Sequence, residues 1–84
     1  MKCQKINSAV NYLKKNGYSI KEEVTGWSKM ELVIYMDNKL TATVRNDLKA
    51  IDGLDYHKSD SDPHYAKEEV IFCRECKIAI AFPM

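Results

Sequence analysis

The sequence predicts an α+β fold in which two helices cover one face of a mainly antiparallel sheet. Three observations support this prediction. Apolar residues recur at helical spacing near the N-terminus, they alternate with polar residues in several later segments, and short turn-forming sequences separate these segments. Short connections favour hairpins, and a hairpin sheet with one apolar face is typically covered by helices on that face. At 84 residues, we expect one domain spanning residues 1–84.

The first predicted element is an amphipathic helix. Its apolar residues recur at intervals of three and four, namely Ile6, Ala9, Val10 and Leu13. Asn16-Gly17 follows as a stop signal, because glycine readily adopts the left-handed conformation that ends a helix. Beyond it, apolar and polar residues alternate from Tyr18 to Val24, which predicts the first strand.

Residues 30–36 and 40–45 are predicted to form a hairpin. A two-residue turn at Asp37-Asn38 has the more favourable turn residues, but it would pair apolar residues with threonines. A loop of three residues, 37–39, instead pairs Met36 with Leu40 and keeps one face of the hairpin apolar. We therefore predict the three-residue loop, which turns Val33 and Tyr35 toward the opposite face.

The second half of the chain is predicted as helix, loop and hairpin. Asn46 or Asp47 can cap a short helix that ends before Gly53. Residues 55–66 lack a regular spacing of apolar residues and are predicted to form a surface loop. Residues 69–82 are predicted to form a hairpin with 74–76 as its loop, pairing Val70 with Ile80. One unbroken strand is the alternative over residues 69–82. The predicted order is helix, three strands, helix, two strands (αβββαββ).

Composition excludes few functions. Thirteen basic and twelve acidic side chains leave a formal net charge of +1, so no general attraction to nucleic acid or to an anionic membrane is expected. No signal-peptide pattern and no apolar run of about 18 residues is present, so we expect a cytoplasmic protein that does not bind membranes. The frequent Lys, Asn, Tyr and Ile are typical of AT-rich genomes, phages among them.

The three cysteines are expected to be reduced thiols, because their number is odd and no export signal precedes them. A Cys-x-x-Cys pair, Cys73 and Cys76, can present two thiolates to a zinc ion. The weaker candidates to complete such a site are Cys3, His57 and His64. No second pair of this kind occurs in the sequence, so we predict no cofactor and keep a zinc-stabilised domain as an alternative.

A nucleic-acid surface is another alternative. Lysines and tyrosines cluster in the first quarter of the chain, and the candidate contacts are Lys5, Tyr12, Lys14, Lys15, Tyr18 and Lys21. The predicted α-β-β-β-α order of the first 54 residues resembles double-stranded-RNA-binding folds and the HicA-type toxin ribonucleases, as does the Asn16-Gly17-Tyr18 step. The histidine of that toxin family has no counterpart in residues 26–30, so the resemblance implies RNA binding without a nuclease site.

The sequence contains no glycine-rich phosphate loop, serine elbow or metalloprotease motif, so we predict that the protein is not an enzyme. A binding role follows: a small regulator or inhibitor that occupies a surface of a larger cellular or host protein, of the kind phages and mobile elements encode. The candidate contacts are Trp27, Val33, Tyr35, Asp55, Asp60 and Asp62. A homodimer is an alternative assembly.

Overall fold

The computed structural model describes residues 3–26, 30–59 and 68–84, with only the backbone of Ser59. The elements are α1 (Gln4–Lys15), β1 (Ile20–Thr25), β2 (Leu32–Met36), α2 (Ala42–Lys49), β3 (Asp55–Ser59), β4 (Glu68–Cys73) and β5 (Ile78–Pro83). The α+β class is confirmed, with two helices and five strands in the described part of the chain. The strands are distributed differently from the prediction, since two precede α2 and three follow it.

The five strands form one mixed sheet in the order β1-β2-β5-β4-β3. Three of the four neighbouring pairs are antiparallel, but β2 and β5 run parallel, with Ile34 beside Ile80. A parallel pair needs a long crossover rather than a hairpin, and the chain between these strands includes α2, β3 and β4. The last strand of the chain therefore occupies the centre of the sheet.

Both helices pack on the same face of the sheet, as predicted. Ile6 and Leu13 of α1 and Leu48 of α2 are fully buried against Ile34 and Ile80 of the central strands. Burial of these side chains is the main contribution to stability, at about 1.5–3 kcal/mol for each large aliphatic residue. None of the described helices is long and apolar enough to cross a membrane.

The predicted hairpin of 30–36 with 40–45 is wrong. Residues 42–49 form α2, which begins where the hydroxyl of Thr41 accepts a hydrogen bond from the Val44 amide at 3.3 Å. Leu40, Val44 and Leu48 are buried at intervals of four, a helical spacing that the alternation of residues 40–45 concealed. Because only β1 and β2 precede α2 among the described residues, these residues do not show the α-β-β-β-α order on which the RNA-binding resemblance depends.

The predicted surface loop also contains a strand. Asp55–Ser59 pairs with β4 as an edge strand, with Tyr56 beside Ile71, whereas residues 60–67 lie outside the described part of the chain. An edge strand of mostly polar residues lacks the apolar alternation that sequence reasoning needs. Only its pairing with β4 defines it.

The C-terminal hairpin is confirmed, with a different register. Its turn has four residues, 74–77, and Lys77 adopts a left-handed conformation with a φ of 57° while its amide donates to the Cys73 carbonyl at 2.9 Å. The longer turn pairs Val70 with Ala81 instead of Ile80. Consequently Ile71 and Cys73 face the helices, and Val70 and Phe72 lie on the other side of the sheet.

Candidate functional site

The face of the sheet opposite the helices carries a second apolar cluster, which we call the helix-free face. It consists of Met30, Val33, Tyr35, Val70, Phe72, Ala79 and Ala81. Neither helix contributes a residue to it, since the buried residues of α1 and α2 all belong to the larger core. Among the described residues, the helix-free face is therefore built by the sheet together with Met30, which precedes β2.

The residues of β5 explain why this face is apolar. Ile78, Ile80 and Phe82 face the helices, whereas Ala79 and Ala81 lie on the helix-free face. A strand that is apolar on both sides is typical of the centre of a sheet, where neighbours shield both faces. The two alanines lie between larger side chains on the flanking strands, with Ala81 between Tyr35 and Val70, and Ala79 between Val33 and Phe72.

The helix-free face is only partly exposed. Val33, Ala79 and Ala81 are buried at its centre, while Tyr35 and Phe72 are half-buried. Its accessible part is thus formed mostly by the larger side chains, two of them aromatic. Aromatic side chains of this kind combine a large contact area with few rotatable bonds, which suits them to recognition.

One margin of the helix-free face is acidic. Burial raises the pKa of the Tyr35 hydroxyl, and the charges of Glu68 and Glu22 raise that pKa further. Burial also raises the pKa of the Glu68 carboxyl. Glu22 lies beside Tyr35 in the β1–β2 register, and neither glutamate forms an ion pair with another described residue. Two carboxylates thus border the aromatic residue.

The opposite margin of the helix-free face carries one ion pair of a basic and an acidic side chain. Asp55 lies beside Phe72 in the β3–β4 register and forms an ion pair with Arg74 at 3.2 Å. The Arg74 guanidinium lies 5.8 Å from the centre of the Phe72 ring. This exposed pair contributes little to stability, but it fixes a cation and an anion beside the aromatic ring.

The structure brings together part of the predicted protein-contact set. Val33 and Tyr35 lie next to each other along β2 on the helix-free face, and Asp55 lies at its margin. Trp27, Asp60 and Asp62 lie outside the described residues. Sequence reasoning missed Val70 and Phe72, because the predicted register turned both toward the helices.

Only part of the predicted nucleic-acid set is exposed. Tyr18 is a core residue whose hydroxyl donates to the Lys39 carbonyl at 2.5 Å, and the Tyr12 hydroxyl donates to the Asp47 carboxylate. Lys5 extends over Gly53 and lies 3.5 Å from Glu75. Exposed lysines remain in the last turn of α1 (Lys14 and Lys15) and on β1 (Lys21). Ten residues of helix separate Lys5 from Lys15, or about 15 Å.

The three cysteines converge. Cys3 precedes α1, Cys73 ends β4 and Cys76 lies in the turn that follows, and their sulfur atoms are all within 4.8 Å of one another. Cys3 and Cys76 form a disulfide, with Cα atoms 5.9 Å apart, so the expectation of three reduced thiols is wrong for this structure. The packing of α1 against the end of the hairpin brings these sulfurs together.

His57, one of the two histidines named as candidate metal ligands, does not join this cluster. His57 lies beside Val70 in the β3–β4 register and therefore on the helix-free side of the sheet, whereas Cys73 faces the helices. His64 lies outside the described residues.

A buried ionic network was missed by the sequence analysis. Glu69 is 4% exposed, and both of its carboxylate oxygens accept hydrogen bonds from the Arg45 guanidinium, at 2.5 and 2.8 Å. The Tyr56 hydroxyl donates to the same carboxylate at 2.6 Å. The bond from Arg45 lowers the pKa of Glu69 against the opposing effect of burial. The network links α2 to β3 and β4, and the charged residue at the start of an apolar strand was its only sequence signal.

Comparison with protein-family models, curated proteins and solved structures gives no match. The function must therefore be inferred from the geometry of the chain itself.

Proposed function

We propose that the protein is a small regulatory or inhibitory module that binds another protein through the helix-free face and catalyses no reaction. The observation that carries the proposal is an apolar cluster on the sheet to which neither helix contributes. Protein interfaces typically have a core enriched in aromatic residues and methionine, surrounded by a polar margin. The helix-free face combines Tyr35, Phe72 and Met30 with charged residues at its edges.

The charges at the margin indicate the chemistry of the partner. Glu22 and Glu68 border Tyr35, and the opposite margin is balanced by the pair between Arg74 and Asp55. Among the residues that the structure describes, the margin is thus acidic on balance, so a partner with an apolar centre flanked by lysine or arginine matches it in charge. The phosphates of a nucleic acid would be repelled by the same glutamates, and this argues against that alternative on this face.

The position of the contacts on strands also favours binding. Tyr35, Val70 and Phe72 belong to strands that are paired with β5 along their length. Residues held by a hydrogen-bonded sheet lose little conformational freedom on association, so less of the interaction energy is spent in ordering them. We therefore expect Tyr35 and Phe72 to be the main anchors of the interface.

Truncation of the helix-free face tests this proposal. Purified protein carrying Tyr35→Ala or Val70→Ala is compared with wild type for the proteins it retains from a cell lysate, and affinity for the recovered partner is then measured. Both side chains are half-buried, so thermal melting first verifies that each variant is folded. We expect affinity to fall roughly tenfold or more for Tyr35→Ala, the size of an interface anchor.

A double variant, Lys14→Glu with Lys15→Glu, serves as the matched control, because both lysines are exposed on α1. It should bind the partner as wild type does. The charge reversal Glu22→Lys should slow association with a basic partner and weaken its salt dependence.

Three outcomes contradict the proposal. Retention of the partner by both truncation variants would remove the helix-free face from the interface. Recovery of RNA or DNA that the lysine variant loses would favour a nucleic-acid surface on α1. A dimer that Tyr35→Ala converts to a monomer, with no other protein recovered, would make a second copy of this chain the occupant.

A further inference from the structure

The three cysteines have the geometry of a metal site. They come from separate parts of the fold, yet their sulfur atoms lie within 4.8 Å of one another. In a tetrahedral zinc site, metal–sulfur bonds of about 2.3 Å place neighbouring sulfurs roughly 3.8 Å apart. The observed limit accommodates that spacing once the bond between Cys3 and Cys76 is reduced and their sulfurs separate.

The backbone directs these sulfurs toward one point. In the turn that follows β4, the Lys77 amide donates to the Cys73 carbonyl and Lys77 has a positive φ, so the chain folds back between the two cysteines. Cys3 occupies the N-cap of α1, and its side chain makes no capping hydrogen bond. The N-terminus of a helix stabilises a thiolate, because its amide dipoles present partial positive charge.

Burial distinguishes the three ligands. Cys73 and Cys3 are 0% and 2% exposed, whereas Cys76 is half-buried. A buried thiolate is costly in apolar surroundings unless a cation neutralises it, so the two inner sulfurs favour a bound metal once they are deprotonated. Cys76 is half-buried, so water can reach the cluster from its side and could serve as a fourth ligand.

We propose that the reduced protein binds one soft divalent metal ion, Zn²⁺, through the thiolates of Cys3, Cys73 and Cys76. Binding converts three thiols to thiolates and releases three protons. The disulfide between Cys3 and Cys76 is the alternative use of two of these sulfurs. Its formation transfers two electrons to an oxidant such as molecular oxygen and releases two protons, and it leaves one thiol for a metal.

Cobalt substitution tests the proposal directly. The full chain is fully reduced with a phosphine, kept free of oxygen and titrated with Co²⁺. We expect one ion per chain, thiolate-to-cobalt charge-transfer bands in the near ultraviolet, and the intense visible bands of tetrahedral cobalt. Zn²⁺ should displace the cobalt, and native mass spectrometry should then show one zinc and three fewer protons per chain.

Two cysteine variants and one control identify the ligands. Cys3→Ser should keep the fold, because serine is among the best N-cap residues, yet it should weaken metal binding roughly 100-fold. Cys73→Ala should weaken metal binding to a similar extent. Alanine is chosen at this buried position because serine would leave a buried hydroxyl. His57→Ala is the control and should bind as wild type does, since His57 lies on the other side of the sheet.

Absence of charge-transfer bands in the fully reduced wild type would overturn the proposal. Unchanged affinity in Cys3→Ser would also overturn it, because the site would then not consist of three thiolates. Circular dichroism of each variant separates loss of a ligand from loss of the fold.

Discussion

Replacement of Arg45 by methionine should remove a large part of the stability of this protein. Methionine keeps an unbranched apolar stem but lacks the guanidinium, so it provides no donor for the two oxygens of Glu69. That carboxylate is 4% exposed and would keep the hydrogen bond from Tyr56, while the charge of Lys58 continues to favour its ionised form. The perturbation therefore removes the cation that is hydrogen-bonded to a buried charge.

The expected size of the effect follows from burial. Loss of one partner from a buried ion pair costs about 3–5 kcal/mol. The side chain of Arg45 is 29% exposed, so water reaches the pair and the lower end applies, about 3 kcal/mol. A chain of 84 residues is stable by about 4–13 kcal/mol in total, so the variant should lose between a quarter and three quarters of its stability.

Urea unfolding followed by circular dichroism measures this loss. With a slope of about 1.5 kcal/mol per molar, a change of 3 kcal/mol lowers the midpoint by roughly 2 M. A double variant that combines Arg45→Met with Glu69→Gln is the matched control. The amide that Glu69→Gln introduces carries no charge and still accepts from the Tyr56 hydroxyl, so the double variant should regain about 2 kcal/mol relative to Arg45→Met.

A loss of stability below about 1 kcal/mol for Arg45→Met would refute this reasoning, because an exposed ion pair contributes no more than that to stability. Equal stability of the single and double variants would refute it as well. Either result would mean that water solvates Glu69 in the folded protein despite its burial.

Three further predictions concern pH, two glycines and a tyrosine. Folding lowers the pKa of Glu69 from its ordinary value of 4.5. The contribution of the ionised carboxylate to stability is therefore complete above pH 4.5 and is lost as the pH falls through the lower pKa of the folded state. Over that acidic range, stability measured by urea unfolding should decline less in Glu69→Gln than in wild type. Gly53→Ala and Gly17→Ala should each destabilise the protein by about 1–2 kcal/mol in thermal melts, because both residues have a φ of 87°; at Gly53 the new Cβ also displaces the flexible end of the Lys5 side chain, which adds little. An unchanged melting temperature in either variant would contradict the left-handed conformation at that glycine. Tyr18→Phe should lower the stability by about 1–2 kcal/mol in the same melts, since the hydroxyl donates a hydrogen bond to the Lys39 carbonyl and accepts one from the Thr41 amide. An unchanged stability would show that water replaces both bonds.

The candidate sites were only partly predictable. The alternation along β2 placed Val33 and Tyr35 on the face opposite Ile34, and this required no knowledge of the partner strand. The other half of the helix-free face depends on the length of the C-terminal turn. One additional turn residue shifts the pairing of Val70 by one position and reverses the direction of every side chain on β4.

The cysteine cluster and the ionic network depend on contacts distant in sequence. Cys3 meets Cys76 across 73 residues, and Arg45 meets Glu69 across 24. Nothing in the local pattern around Cys3 or Arg45 indicates its partner, because such contacts are decided by which helix packs over which strand. The network was also concealed by the predicted register, which turned Glu69 away from the helices.

The sequence by itself determined the first helix, the C-terminal hairpin and the α+β class, because each follows from the spacing of apolar residues over a few turns or strand positions. Only the tertiary structure decided that residues 42–49 are helical, that Asp55–Ser59 is a strand and that β5 lies between β2 and β4. The physical reason lies in β5, which is apolar on both faces and is best buried at the centre of a sheet. The pairing of β5 with β2 in parallel orientation creates the helix-free face. The helix α1 packs over the turn end of the β4–β5 hairpin and brings Cys3 to Cys73 and Cys76.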